Sequence, residues 1–185
     1  MAEPHSALCR RLRTGLLTAS VAVVPLLAAC ASDDRATAGL GCPRVGIVRD
    51  VASVTTFRPG TGRDPTDVVS RARIHDYGGR CAYEQGGVVV ELDLKMAAQP
   101  GPAMSGNQAA YTYFVAVLDG AQNVLAREQF PVQFEFKGPQ PVQVTEPLSP
   151  RIPLAAGVDG RNYEILVGWV VDAAQLEWNR TRTPE

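Results

Sequence analysis

Apolar and polar residues alternate with a period of two along much of the chain. In Val88–Met96 every even-numbered residue is apolar, and the same holds for residues 130–136. This alternation is typical of β-strands that bury one face and expose the other. Pro131 has no amide hydrogen and takes an outward position in the second segment, which predicts that this strand lies at a sheet edge.

Further strands are predicted where apolar runs are bounded by turn residues. Tyr111–Leu118 and Tyr163–Val171 are almost continuously apolar, as expected of central strands. Asp119-Gly120 predicts a hairpin turn that leads into Val124–Phe136. Weaker strands are predicted at Val45–Asp50, Ala52–Phe57, Val69–Tyr77, Val142–Thr145 and Ile152–Leu154, separated by turns at Pro59-Gly60, Gly78-Gly79, Gly86-Gly87, Pro100-Gly101 and Asp159-Gly160.

Only the C-terminal tail has a helical pattern. Asp172 is placed to cap a short helical turn, with Gln175 at the capping-box position. Leu176 or Trp178 would then fold back on the sheet.

Together these elements predict an all-β fold, an antiparallel β-sandwich of about seven strands with a short C-terminal helical turn. The layout resembles immunoglobulin-like and fibronectin-type-III-like modules in architecture. It departs from true immunoglobulin domains because Trp169 follows both of the later cysteines instead of lying between them. A small open barrel is the alternative architecture.

The first 29 residues have the three zones of an export signal. Met1–Arg13 carries three arginines, and Gly15–Leu27 is apolar and too short to span a bilayer as a helix. The next zone, Leu27-Ala28-Ala29-Cys30, closely resembles the bacterial lipobox, in which small residues precede an obligatory cysteine. The predicted organisation is a signal peptide over 1–29, a lipidated Cys30 with a flexible tether over 30–41, and a sandwich domain over 42–185.

The lipobox resemblance implies a lipoprotein of the Gram-negative type, from an uncharacterised family. It implies acylation of the Cys30 sulfur, which would hold the domain at a membrane. Ala31 rather than Asp follows the cysteine, a pattern that resembles passage to the outer membrane, with the domain facing the periplasm. The alternative is an ordinary signal peptide cleaved after Ala29, with Cys30 incidental.

Two cysteines are left for the domain, because Cys9 lies in the signal and Cys30 would carry lipid. In an oxidising compartment, Cys42 and Cys81 are expected to form a disulfide. A metal site or a redox pair would be the rival interpretation, but neither cysteine belongs to a C-x-x-C motif or has a histidine at ligand spacing.

Charge and composition argue against several functions. Removing residues 1–29 takes away three arginines and one glutamate, so the domain is more acidic than the full chain, whose formal charge is −1. No basic face with interleaved aromatic residues is present, and a nucleic-acid partner is therefore not expected. The sequence indicates no cofactor and no metal site.

Catalysis is not indicated either. His75 is the one histidine after the signal, and the chain has no G-x-S-x-G motif to supply a nucleophile. His75 is better explained as a solvent-facing strand residue. Glu91 and Asp93 share a strand face, where a catalytic carboxylate pair is possible but an outward polar stripe is the simpler explanation. We therefore expect a protein that is not an enzyme.

The leading functional hypothesis is an interaction or accessory module of the cell envelope, with an unidentified envelope protein as partner. The loop Arg58–Asp67 is the most unusual stretch, since Arg58, Arg63 and Asp64 surround glycines that can expose backbone amides. An ordinary connection between sheets would explain it equally. Gln99–Ala110 is a second candidate loop, and an exposed strand edge could also accept a partner strand.

The alternative function is a small-ligand binding or carrier domain. It would need the apolar interior to open into a pocket beneath four aromatic residues, namely Tyr111, Tyr113, Tyr163 and Trp169. The simpler expectation is that these side chains fill the core.

Overall fold

The computed structural model describes residues 39–60 and 62–181. The predicted signal peptide, the lipobox-like segment and Cys30 lie outside these residues. The described residues form nine strands and one α-helix. The strands are β1 (Arg44–Ile47), β2 (Ser53–Phe57), β3 (Val68–Glu84), β4 (Gly87–Pro100), β5 (Gln108–Leu118), β6 (Val124–Glu135), β7 (Val142–Leu148), β8 (Arg151–Pro153) and β9 (Glu164–Trp169), and the helix α1 spans Ala173–Thr181.

Two sheets pack face to face. One has the order β1-β9-β5-β6, and the other has the order β2-β3-β4-β7, with β8 also paired to β4. The predicted β-sandwich is therefore confirmed, with nine strands rather than about seven. All the strand pairs described are antiparallel except β1 with β9, which run parallel. β2, β3 and β4 are neighbours in sequence order, unlike the immunoglobulin sheet, in which the second strand adjoins the fifth.

Strand positions largely follow the hydrophobic pattern. β5 and β9 are the central strands of the first sheet, and β6, which contains Pro131, is its edge, as predicted. The turn predicted at Gly78-Gly79 is wrong, because β3 continues through it to Glu84. A Cβ on Gly79 would lie 2.1 Å from the Glu91 carbonyl oxygen, so this glycine permits close approach of two strands rather than a reversal.

The core lies between the sheets and is built from the predicted alternating positions. Val88, Leu94 and Met96 of β4 and Phe134 of β6 are completely buried. Burial of such side chains contributes roughly 1.5–3 kcal/mol each, which makes this interior the main source of stability.

The C-terminal helix closes one sheet edge. Asp172 and Gln175 form the predicted reciprocal cap, with the Gln175 amide donating to the Asp172 carboxylate at 2.7 Å. The Asn179 side chain donates to the Ser53 carbonyl at 2.7 Å, and the Gln175 side chain donates to the Thr55 carbonyl at 3.4 Å. Since β2 is an edge strand, α1 occupies carbonyl groups that a further strand would otherwise use.

The expected disulfide joins Cys42 to Cys81, whose Cα atoms are 5.7 Å apart. It connects the segment before β1 to β3 and therefore fastens one sheet to the other near the start of the domain.

Replacing both Cys42 and Cys81 with alanine should lower the free energy of unfolding by about 3–4 kcal/mol, because the bridge restricts the unfolded chain. Denaturant unfolding would measure this. Reductant should bring the natural chain to the stability of the double variant and leave the variant unchanged. Equal stability of the two proteins without reductant would contradict the prediction.

Candidate functional site

The sandwich has two distinct ends, set by the long β3–β4 hairpin. At one end lie residues 39–43, the hairpin turn 84–87 and residues 158–163, which we call the entry end. At the other lie the connections 58–67, 99–107 and 136–141, which we call the loop end. With a rise of about 3.3 Å per residue, β3 separates the two ends by roughly 50 Å.

Hydrogen bonds fix the chain at the entry end. The Tyr83 hydroxyl donates to the Gly41 carbonyl at 2.7 Å and accepts the Gly160 amide at 2.6 Å. A Cβ on Gly160 would lie 2.7 Å from that hydroxyl and 2.8 Å from the Gly41 oxygen. Only glycine therefore fits between the tyrosine and the incoming chain.

Asp159 completes this arrangement. Its carboxylate accepts the Gly41 amide at 3.1 Å and the Arg161 amide at 3.0 Å, and it forms an ion pair with the Arg161 guanidinium. The side-chain hydrogen bond from Arg161 holds the pKa of Asp159 well below its usual range, with further help from backbone amides. The entry end is thus held by a disulfide, a tyrosine and a charged pair.

At the loop end, the predicted loop Arg58–Asp67 is organised around a buried carboxylate. Asp67 is 6% exposed and forms an ion pair with Arg58, whose side chain remains 62% exposed. Asp64 caps the 3-10 turn Pro65–Asp67, since its side chain accepts the Thr66 amide at 3.1 Å. A Cβ on Gly62 would lie 2.1 Å from an Asp67 oxygen, which explains the glycine there.

Arg63, the other arginine of this loop, lies over the Phe57 ring at 4.9 Å. Trp178 of α1 meets the same ring edge-on, with centroids 4.9 Å apart. This contact confirms that the tail folds back on the sheet. The structure thus places Arg58, Arg63 and Asp64 in one loop, and each of them also makes an intramolecular contact.

The second predicted loop packs beside the first. The Gly101 amide donates to the Val69 carbonyl at 2.7 Å, and the Ala103 amide donates to the Val68 carbonyl at 2.9 Å. These contacts place residues 101–103 against the start of β3, directly after the Arg58–Asp67 loop. Both candidate loops therefore lie at the end of the sandwich opposite the chain entry.

An open groove of 610 Å³ lies at the loop end, and we call it the loop-end groove. Its walls meet because the Phe136 amide donates to the Asn107 carbonyl at 2.7 Å. No charged residue lines it; the lining residues are Gln99, Pro100, Gly101, Pro102, Met104, Gly106, Asn107, Phe136, Gly138 and Pro139. Sequence reasoning missed the contribution of residues 136–139, although the Gly-Pro-Gln-Pro stretch after Lys137 is a loop signal.

A second groove, of 510 Å³, lies on the outer face of the sheet that contains β3, β4 and β7. It includes Glu91 and Asp93, but Glu91 is paired with Arg80 and both groups are exposed. This arrangement agrees with an outward polar stripe. Among the described residues, no cluster of three or more His, Cys, Asp or Glu side chains is placed to hold a metal ion.

His75 is not the solvent-facing residue that the pattern predicted. The register of β3 against β4 shifts between Ile74 and Asp76, so His75 occupies a β-bulge. Its side chain is half-buried, and its Nε2 atom is buried without a hydrogen-bond partner. Strict alternation fails at a bulge, which explains the error.

The four aromatic side chains of the predicted ligand pocket pack into the core. Trp169 is 1% exposed and packs against Tyr111 and Tyr113, with ring centroids 5.4 and 6.4 Å away. Burial raises the pKa of Tyr113 to about 12. Tyr163 packs at the margin of the same core. These four side chains therefore act as core residues, and neither groove described above lies beneath them.

The β6 edge is partly exposed. Val124 and Leu125, at the start of β6, are 60% and 54% exposed. The β5–β6 register shifts between Val117 and Leu118 at this point, and Pro131 interrupts the donors farther along. A bulge and a proline are devices that limit pairing at an edge, so β6 is only partly open to another strand.

Comparisons with known proteins add no family. No family model matches the chain, and no curated protein matches it. Among solved structures, it is similar to the variable domain of the Streptococcus agalactiae AgI/II polypeptide BspA, with 14% identity over 68% of this chain and 77% of that one. The TM-score is 0.16, too low to support any argument. None of the helices in residues 39–60 and 62–181 has the length and apolarity to cross a membrane.

Asp67→Ala should lower the free energy of unfolding by about 1–3 kcal/mol, because it removes a buried acceptor and leaves loop donors unpaired. Asp76→Ala is the matched control, since Asp76 is half-exposed in its pair with Lys95 and should matter much less. Denaturant unfolding would compare them. A larger loss for Asp76→Ala would contradict this account of the loop.

The contribution of Asp159 should depend on pH. Its pKa is lowered in the folded state, so the stabilisation is fully present above the usual carboxyl pKa and is lost as pH falls through the lower folded value. Asp159→Asn should therefore be less stable than the natural chain at pH 7. Thermal unfolding between pH 7 and pH 2 should show this difference shrinking below about pH 4. A difference that is constant with pH would refute the role of the charge.

Proposed function

We propose that this chain is a non-enzymatic lipoprotein of the cell envelope, whose sandwich serves as an interaction or accessory module. Acylated Cys30 anchors it, more specifically at the outer membrane with the domain facing the periplasm. The sequence basis is the segment Leu27–Cys30, which resembles a lipobox.

The observation that best supports this proposal is that the chain enters the sandwich at one end while the candidate loops lie at the other. Residues 39–43 enter the domain at one end, where Cys42, Tyr83 and Asp159 hold them. The loops 58–67 and 99–107 lie at the other end, roughly 50 Å away by strand rise. An anchored module benefits from such an arrangement, because its recognition loops extend away from the anchor and toward a partner.

The loop end also has the character of a recognition surface. The 99–107 connection bonds to the start of β3 through Gly101 and Ala103, and to the 136–141 connection through the Phe136 amide. A rigid sandwich that supports several loops is a common basis for binding, because the strands fix the positions of the loop side chains.

Replacing Cys30 with serine should move the protein from the membrane fraction to the soluble periplasmic extract, since the acyl chains provide the anchoring free energy. Cys42→Ser is the matched control and should leave the protein with the membrane. Fractionation and immunoblotting would measure both. Membrane association that persists in Cys30→Ser would overturn the anchor.

The interaction role has its own test. A photo-crosslinking amino acid at exposed Ser105, at the loop end, should join an envelope protein in intact cells, and the same group at exposed Gln85, at the entry end, should not. The Ser105 product should diminish in the Cys30→Ser background. Equal labelling from both positions, or none from either, would refute a partner at the loop end.

A further inference from the structure

The outer strands of the two described sheets differ in how their free edges are protected. β6 carries Pro131 and a bulge, and β7 contains Pro147. On β1, the Tyr77 hydroxyl donates to the Val45 carbonyl at 2.7 Å. β2 has the sequence Ser-Val-Thr-Thr-Phe, with neither a charge nor a proline. Such an edge is prone to pair with another chain unless something covers it, and on β2 the cover is α1.

The register of β2 shows which of its backbone groups face outward. The Ile74 amide donates to the Ala52 carbonyl, so every second residue of β2 bonds to β3 and the residues between face away from it. The outward residues are Ser53, Thr55 and Phe57. Each of them directs one amide and one carbonyl at the free edge.

α1 occupies only some of these groups. The Asn179 and Gln175 side chains donate to the Ser53 and Thr55 carbonyls. Four residues advance a helix by about 6 Å and two residues advance a strand by about 6.6 Å, so the two side chains match alternate carbonyls. In the part of the chain that the structure describes, no hydrogen bond from the outward amides of Ser53 and Thr55 is found. A strand, unlike α1, would bond to amides and carbonyls alike.

The cover is held by surface contacts. α1 has nine residues, none of them buried, and isolated helices shorter than about 12–15 residues are marginal in water. Besides its hydrogen bonds to β2, it is held by the Trp178 ring against Phe57 and by the exposed ion pair of Arg180 with Asp50 at 2.9 Å. Exposed ion pairs contribute little, so substitutions at its contacts with β2 release α1 without altering the core.

We propose that β2 is a self-association site, covered by α1, through which two copies of this chain pair edge to edge. Antiparallel pairing about a two-fold axis at Thr55 places Ser53 of one copy opposite Phe57 of the other. Every outward amide and carbonyl of these three residues then has a partner in the second copy. No charge or proline of β2 opposes this register, whereas prolines would remove donors from the same arrangement at β6 or β7. Self-association at β2 does not require the loop-end partner proposed above.

The double variant Trp178→Ala/Asn179→Ala tests the cover, because alanine favours the helix while the contacts with β2 are lost. The full chain is solubilised in a density-matched neutral detergent, and its mass is measured by sedimentation equilibrium. We expect the double variant to dimerise at least about tenfold more tightly than the natural chain. Glu177→Ala, at an exposed position of the same helix, is the matched control and should behave like the natural chain. Equal self-association of the double variant and the natural chain would overturn the proposal.

Proline substitutions locate the contact. Thr55→Pro, added to the double variant, removes an amide that faces away from β3 and should return the protein to a monomer. Gln129→Pro is the matched control, because Gln129 faces outward on β6 in the same way, and it should leave the dimer intact. A dimer that survives Thr55→Pro would overturn β2 as the site.

Hydrogen exchange identifies the occupant of the edge. In the double variant, the amides of Ser53 and Thr55 should exchange at least about tenfold more slowly in the dimer than in the dilute monomer. Protection of these amides in a particle with the mass of one chain would mean that another segment of the same chain fills the edge, and would overturn the second copy as occupant.

Thermal unfolding checks that the variants are folded. If the double variant lacks a cooperative transition, Asn179→Ala alone takes its place, with self-association at least about threefold tighter than that of the natural chain. Unchanged self-association in that single variant would then overturn the proposal.

Discussion

The pairing of β3 with β4 is the constraint on which the rest of the molecule depends. The two strands pair from Ser70 opposite Pro100 to Glu84 opposite Gly87. Because side chains alternate along a strand, this single register decides which face of the sheet forms the core. It also sets the distance between the ends, since the same hairpin carries Cys81 near the chain entry and borders both candidate loops at its other end.

Sequence patterns correctly predicted the features that depend on neighbouring residues or on the chemistry of one residue type. The alternation in Val88–Met96 identified a strand whose even positions are buried, and Pro131 identified an edge. The disulfide was predicted from the even pair of cysteines after residue 41 and the expected oxidising compartment, and Asp172 with Gln175 predicted the cap of α1. In each case the cause lies within a few residues or in the chemistry of one residue type.

The failures come from contacts between distant residues. Gly78-Gly79 has the composition of a turn, but Gly79 lies within β3, where the absence of a side chain allows the Glu91 carbonyl of the next strand to come close. His75 lies at a bulge that only the pairing with β4 reveals. The loop-end groove joins residues about thirty positions apart, through the bond between Phe136 and Asn107. Asp67 could have been found, because Asp64-Pro-Thr-Asp67 has the spacing of a capping box.

The attachment of Cys42 to Cys81 has a mechanical consequence. A pull applied through residues 39–41 passes from Cys42 directly into β3, so β1 carries little of the load. Because β3 extends from Cys81 back to Val68 at the loop end, such a force acts along the strands and loads the β3–β4 and β2–β3 hydrogen bonds together in shear, instead of peeling them apart singly. The geometry suits a domain that must keep its shape under tension.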